Sequence, residues 1–356
     1  MIILSPFFDP LKSYEENYKK GPFGKFADKK VYKQKNDPPN AFLGFPVFTP
    51  FGIPAGPLLN SKFVNAALDK GFDIVEYKTV RSRKFSAHTW PNVLSVKIKG
   101  NLTEKKAEKG LIGYFKFANP PSITNSFGVP SFDPNIWQKD MRKAVKHAKN
   151  GQLVIGSFQG TINEKHDNKK YLKDFVTTAK LVKETGVKAM EVNLSCPNEG
   201  HSNMLCFDIE RSSEVLKLIK NEIGNTPLIV KISYFHNTQR LGKFVHDVGE
   251  IVQGISAINT LPAKVIDERG DQALPGEGRI KSGVCGDAVR WAGLEMTSRL
   301  SSLRREFDYD FAIIGVGGVL NPEHYKKYRK AGADAVMSAT GAMWNPFLAQ
   351  EIKSQV

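Results

Sequence analysis

Cysteine is scarce in this chain. Cys196, Cys206 and Cys285 are the only three in 356 residues, and none are spaced as Cys-x-x-Cys. That excludes a disulfide framework, a zinc site and an iron–sulfur cluster, and it suits reduced thiols in a cytoplasm; no metal is expected. Long apolar runs are also missing. None reaches bilayer length, so no membrane association is expected. The N-terminus starts apolar but has no basic segment before it, and Pro6 and Pro10 interrupt it, so neither a signal nor a transit peptide is read there. Acids are in deficit: 36 Asp and Glu stand against 51 Lys and Arg, a formal net charge of +15. The basic residues are scattered and rarely interleaved with aromatics. A solvated surface ranks first, anionic small molecules second and nucleic acid third, so no nucleic-acid partner is expected.

Hydrophobic content is 41% and charged content 24%, enough for a sizeable core. Residues 1–40 read as a polar, Lys-rich N-terminal extension with one short helix near 12–19, and residues 41–356 as a single domain. Pro and Gly punctuate residues 42–56 as a small hairpin leading to a first strand. Short apolar runs at 52–55, 74–80, 153–158, 188–194, 227–233, 254–259, 311–316 and 335–339 then predict eight strands. Helices are expected at 61–70, 171–184, 209–221, 239–248, 288–305, 322–331 and 344–352. Uninterrupted apolar strands suit a parallel sheet buried on both faces. This repeated order argues for an α/β fold, a (β/α)8 TIM barrel with an N-terminal arm and hairpin. Insertions at about 83–133 and 261–286 follow strands at the catalytic end and are expected to cover the C-terminal mouth.

The reactive-looking residues fall at strand ends. Glu191-Val-Asn-Leu-Ser-Cys-Pro-Asn198 brings a strand to a stop at Pro197, with the thiol of Cys196 between the carboxamides of Asn193 and Asn198. A thiol can act as nucleophile or base when it reaches the thiolate. Strand ends also deliver Lys78, followed by Thr79, and Lys231, suited together to an anionic or electron-accepting cofactor. Asn259 closes 254–259, and Asn125 lies in the loop Thr124-Asn-Ser-Phe-Gly-Val-Pro130. Four carboxamides could read both edges of a cyclic imide and reject ligands lacking the matching groups. Glycine turns at Gly315-Val-Gly-Gly318 and Ser338-Ala-Thr-Gly341 follow the last two strands, where barrels commonly cradle phosphate; Ser282-Gly-Val-Cys-Gly286 is expected to add backbone N–H groups.

In motif order over roughly residues 45–350, the chain resembles the FMN-dependent dihydroorotate dehydrogenases, in their soluble, cysteine-using group. The resemblance rests on the Lys-Thr pair 78–79, the loop 125–130, the segment 191–198, Lys231, Asn259 and the late glycine turns. It implies one FMN-binding barrel that oxidises dihydroorotate to orotate in pyrimidine biosynthesis. Cys196 would remove the C5 proton while C6 delivers hydride to flavin N5. Lys78, Asn125, Phe127, Gly128, Val129, Asn193, Asn198, Asn259 and Thr260 would hold the substrate. Ala55, Gly56, Lys78, Thr79, Asn193, Lys231, Ser282, Gly283, Gly286, Gly317, Gly318, Thr340 and Gly341 would hold FMN. A homodimer is a further expectation from the resemblance. Fumarate, a quinone, oxygen and NAD all suit it as oxidants, and NAD would have to be reached through a partner subunit.

The text departs from the family at Val80 and Arg81, where small hydroxylated residues are usual, at His88-Thr-Trp-Pro91, and at Pro130-Ser131. Cys206 resembles the mobile-loop cysteine of dihydropyrimidine dehydrogenases, which makes it a second candidate for the base. Met343-Trp-Asn-Pro346 and the positive charge resemble tRNA dihydrouridine synthases, the alternative flavin reading; against it, no separate C-terminal RNA-binding domain is expected from the sequence. A third reading is a barrel that binds flavin or phosphate without catalysis.

Overall fold

A computed structural model describes residues 6–117, 122–162, 167–196 and 204–356. Eight parallel strands close into a barrel: β1 (Phe51–Ile53), β2 (Ile74–Val80), β3 (Leu153–Phe158), β4 (Ala189–Asn193), β5 (Leu228–Ile232), β6 (Gly254–Ala257), β7 (Ala312–Val316) and β8 (Ala335–Met337). Each pairs with its sequence neighbours, and β8 pairs with β1. This is the expected (β/α)8 barrel. Among the described residues, no helix is long and apolar enough to cross a membrane.

Side chains alternate in direction along a strand, and inward positions here grade from apolar to polar. At the base, Ile74, Leu153, Ala189, Ile229, Ile314 and Ala335 pack in one cluster. Phe42 and Val47 join it from the hairpin Asn40–Phe42/Phe45–Val47. The hairpin turns at Leu43 and Gly44 with φ of +51° and +81°, as a two-residue turn matched to strand twist requires. Two residues up each strand from Ile74, Ala189 and Ile229 stand Glu76, Glu191 and Lys231, all buried. A further two up β2 and β4 stand Lys78 and Asn193.

One expectation needs correction. The last helix, read as 344–352, is instead two short helices, Thr340–Trp344 and Leu348–Lys353. Between them Asn345 is extended (φ −116°, ψ 93°), because Pro346 disfavours helical backbone in the residue before it. The two insertions cover the mouth, as expected, and do so as one unit. Strands Ser95–Val96, Leu111–Tyr114 and Ser122–Asn125 of the first join Leu261–Ile266 and Lys281–Gly286 of the second in a small closed five-stranded barrel. The first insertion returns to the main barrel through a helix absent from the sequence reading, Pro134–His147, which buries Trp137, Met141 and Ala144 at helical spacing.

Candidate active site

A cavity of about 400 Å³ lies where the small barrel meets the carboxyl ends of the main strands. Of the residues singled out in the sequence, Ala55, Gly56, Lys78 and Thr79 line it. Asn125, Phe127, Gly128 and Val129 line it from the first insertion, Asn193 and Cys196 from the end of β4, and Lys231 from β5. Asn259, Thr260, Ser282 and Gly283 complete this set. Asn198 lies outside the described residues. Gly286, Gly317, Gly318, Thr340 and Gly341 do not line the cavity. Gly286 and Gly318 meet each other, however, and Gly341 meets Val319, at the ends of β7 and β8. A Cβ on Gly318 would stand 2.6 Å from the Gly286 carbonyl oxygen, and one on Gly341 2.2 Å from that of Val319. Both turns therefore require bare backbone.

Two of the carboxamides, Asn193 and Asn259, belong to one directed chain. Asn259 donates to Ser195 Oγ (3.0 Å), Ser195 Oγ donates to Asn193 Oδ1 (2.9 Å), and Asn193 Nδ2 donates to Gln159 Oε1 (2.9 Å). Ser195 and Gln159 were missed in the sequence. Ser195 lies between Asn193 and Cys196 in the quoted motif, and its hydroxyl is the link that orients both asparagines.

Beneath the cavity is a buried ionic cluster. Lys231 Nζ donates to Glu191 Oε1 (2.9 Å) and Glu76 Oε2 (3.3 Å). Ala55 N also donates to Glu76 (2.9 Å), and Ser157, itself bonded to Thr79, donates to Glu191 (3.2 Å). Burial, then the neighbouring Glu191, pushes Glu76 up to about 8. Burial alone would lower Lys231, but Glu191 and Glu76 more than offset it and hold the ammonium well above its ordinary value. Among the described residues Lys78 has no such partner. Burial, then Arg81 and Lys231, brings it down to about 7 against the attraction of Cys196.

Other groups were not foreseen. His88 and Arg279 line the cavity; burial, then Arg279, lowers the His88 pKa. Arg279 donates to the carbonyls of Thr89, Pro91 and Ser126, tying the two insertions together. The N-terminal arm supports the loop 125–130: Phe8 and Tyr14 meet the Phe127 ring edge-on, at 5.4 and 5.9 Å between centroids. Cys206 is fully buried in the core, does not line the cavity, and its thiol is pushed up to about 12 by burial.

The fold and the cavity define a class: a barrel enzyme whose titratable and amide groups converge on the carboxyl ends of its strands. The dihydroorotate dehydrogenase family model matches residues 114–356, and a dihydroorotate dehydrogenase of Dictyostelium discoideum is 36% identical over 98% of this chain and 97% of that protein. The chain therefore belongs to the dihydroorotate dehydrogenase family and is an oxidoreductase acting on CH–CH donors. The catalytic subunit of a dihydroorotate dehydrogenase B (NAD(+)) from Thermodesulfovibrio yellowstonii is 27% identical over 68% of this chain and 77% of that subunit. The crystal structure of DHODH from Eimeria tenella in complex with ferulenol has a TM-score of 0.71 at 17% identity, covering 91% of this chain and 85% of that one, a likeness of fold.

Proposed function

We propose that this chain oxidises dihydroorotate to orotate with FMN, using Cys196 as the base that takes the C5 proton. The observation that carries this reading is the convergence of Cys196, Lys78 and the chain from Asn193 to Asn259 on one cavity. A free thiol has a pKa of about 8.5, near enough to neutrality for a base when cations favour the thiolate. Lys78 and Arg81 are such cations, since Cys196 acts electrostatically on both. Asn125, Asn193 and Asn259 would grip the pyrimidine edges, and Lys78 would meet its carboxylate or the reacting face. Bound FMN would accept the hydride from C6 at N5.

The chain's residues fit that group. Ser282 Oγ is buried at the cavity wall with no hydrogen-bond partner among the described residues. Lys231 presents a held ammonium, and Gly286, Gly318 and Gly341 sit where side chains would close a phosphate cradle. Purified protein is expected to be yellow, and anaerobic dihydroorotate is expected to bleach the flavin band. A band that dihydroorotate leaves unmoved overturns the substrate assignment.

Gly318→Ala tests the cradle. Gly318 has φ +63°, and placing another residue in left-handed backbone costs about 1–2 kcal/mol before the clash with Gly286 is counted. The flavin-to-protein ratio after dialysis is expected to correspond to roughly tenfold weaker FMN binding or worse, with the apoprotein still folded. Full retention of FMN would remove this turn from the phosphate site.

A further inference from the structure

Arg81 is a departure from the family text that the reaction scheme above uses only as a charge. It follows β2, is 1% exposed, and uses its whole guanidinium. Nε donates to Val129 O (2.9 Å), Nη2 to Gly128 O (3.2 Å), and Nη1 to Gly160 O (3.2 Å) and Thr161 Oγ1 (3.1 Å). The group also stacks on Phe85, 4.1 Å from the ring centroid. Gly128 and Val129 line the cavity at φ +76° and +53°; the second is strained for a β-branched residue and needs surroundings that enforce it. One rigid fork thus joins the strained cavity turn to the turn after β3.

We propose that Arg81 is a positioning residue for the reaction at Cys196: its fork fixes the Gly128–Val129 turn over the cavity, and its permanent charge favours the Cys196 thiolate. The second half rests on the reading of Cys196 as the base. Arg81 is held against Gly128 and Val129, which line the same cavity as Cys196; the attraction across it is mutual, so a cation supported by the sulfur also supports the sulfur's negative form. Lysine cannot replace the fork, because it has a point charge in place of a planar, multi-donor group.

Among the described residues, the other charged and titratable groups near this pair are Lys78 and Arg83 on the same segment, and Tyr171 and Asp174 on the helix Asn168–Lys183. His88, Lys231, Arg279 and Lys281 also line the cavity. Asp174 is already engaged by Thr161 N (2.7 Å), Ser82 Oγ (2.5 Å) and Arg83 (3.4 Å).

The test is the rate of iodoacetamide alkylation at Cys196 against pH, read by peptide mass spectrometry in the parent protein, Arg81→Gln and Arg81→Lys, with Cys196→Ser as the blank. In Arg81→Gln the alkylation midpoint is expected to rise by about one unit or more, and the rising limb of kcat against pH is expected to move with it. In Arg81→Lys the midpoint stays near that of the parent. Its KM, however, rises about tenfold through the lost charge-assisted bonds, while kcat stays within about threefold. An unmoved midpoint in Arg81→Gln overturns the charge role, and an unchanged KM in Arg81→Lys overturns the loop role. A midpoint that moves while the kcat limb does not leaves Arg81's hold on the sulfur standing and overturns Cys196 as the base. If Arg81→Gln does not fold, the parent midpoint decides the charge role: a value at or above the roughly 8.5 of a free thiol overturns it.

Discussion

Cys196→Ala is expected to lower kcat by about 10²–10⁴-fold, the usual contribution of a positioned general base, with flavin content and melting temperature close to those of the parent. Cys196 lies just beyond β4 and is only half-buried, so losing its sulfur opens no large core void. The groups near it that could take a proton are poorly placed to substitute. Lys78 is brought down to about 7 chiefly by burial, but an anionic substrate would restore its proton. His88 has its pKa lowered by burial and by Arg279. Cys206, pushed up to about 12 in the core, cannot supply thiolate near neutrality. Cys196→Ser is expected to retain more activity than alanine only at high pH, because a hydroxyl ionises far less readily than a thiol. The measurement is the single-turnover rate of flavin bleaching by dihydroorotate. A rate in Cys196→Ala within about threefold of the parent would remove the base assignment, since even a weak general base contributes more than that.

What the sequence made legible follows from how each feature is written. β2 and β3 were read to the residue, because strands buried on both faces appear as continuous apolar text and their ends fall beside turn residues. Placing Lys78, Asn193, Lys231 and Asn259 around one mouth needed only the strand count and the polarity of a parallel barrel. The small barrel was not legible. Its strands are short, and Gly283 pairs with Asn125 across a separation that local patterning cannot bridge. The helix Pro134–His147 was legible and was overlooked: Pro134 at its first turn and apolar residues at 137, 141 and 144 are ordinary helix signals. The ionic cluster was half-written. Glu76 lies two before Lys78, and Glu191 two before Asn193, so alternation puts all four on the inward face. That Lys231 would join them depends on the register of β5 against β4, where Lys231 stands opposite Asn193. Arg81 reads as a surface charge until the turns at 128–129 and 160–161 are seen to close over it.

Lys231→Met is expected to cost about 3–5 kcal/mol of stability, as removing one member of a buried ionic set does, whereas Glu76→Gln should stay within about 1 kcal/mol of the parent. Both carboxylates are 0% exposed, and among the described residues Lys231 is the one cation bonded to both. Two ionised acids around one ammonium would leave a net buried charge; a proton on one makes the set neutral. Glu76 Oε1 and Glu191 Oε2 are buried with no donor among the described residues, yet the two carboxyls interact directly, so the missing donor is that proton. A glutamine at 76 can present an N–H in its place and still accept from Ala55 N and Lys231. A methionine at 231 leaves Glu191 without its cation. The pH dependence has a definite sign. Glu76 is raised from 4.5 to about 8 on folding, so in that window the folded chain holds more protons than the unfolded one. Its contribution is therefore complete below about 4.5 and is lost as pH rises through about 8. Urea melts of the parent between pH 5 and 8 should show stability falling with pH, and the slope should flatten in Glu76→Gln. An unchanged slope in Glu76→Gln would mean that both acids are ionised beneath the cavity and that no proton is shared between them, and a Lys231→Met protein as stable as Glu76→Gln would mean that the ammonium is not what holds the two acids there.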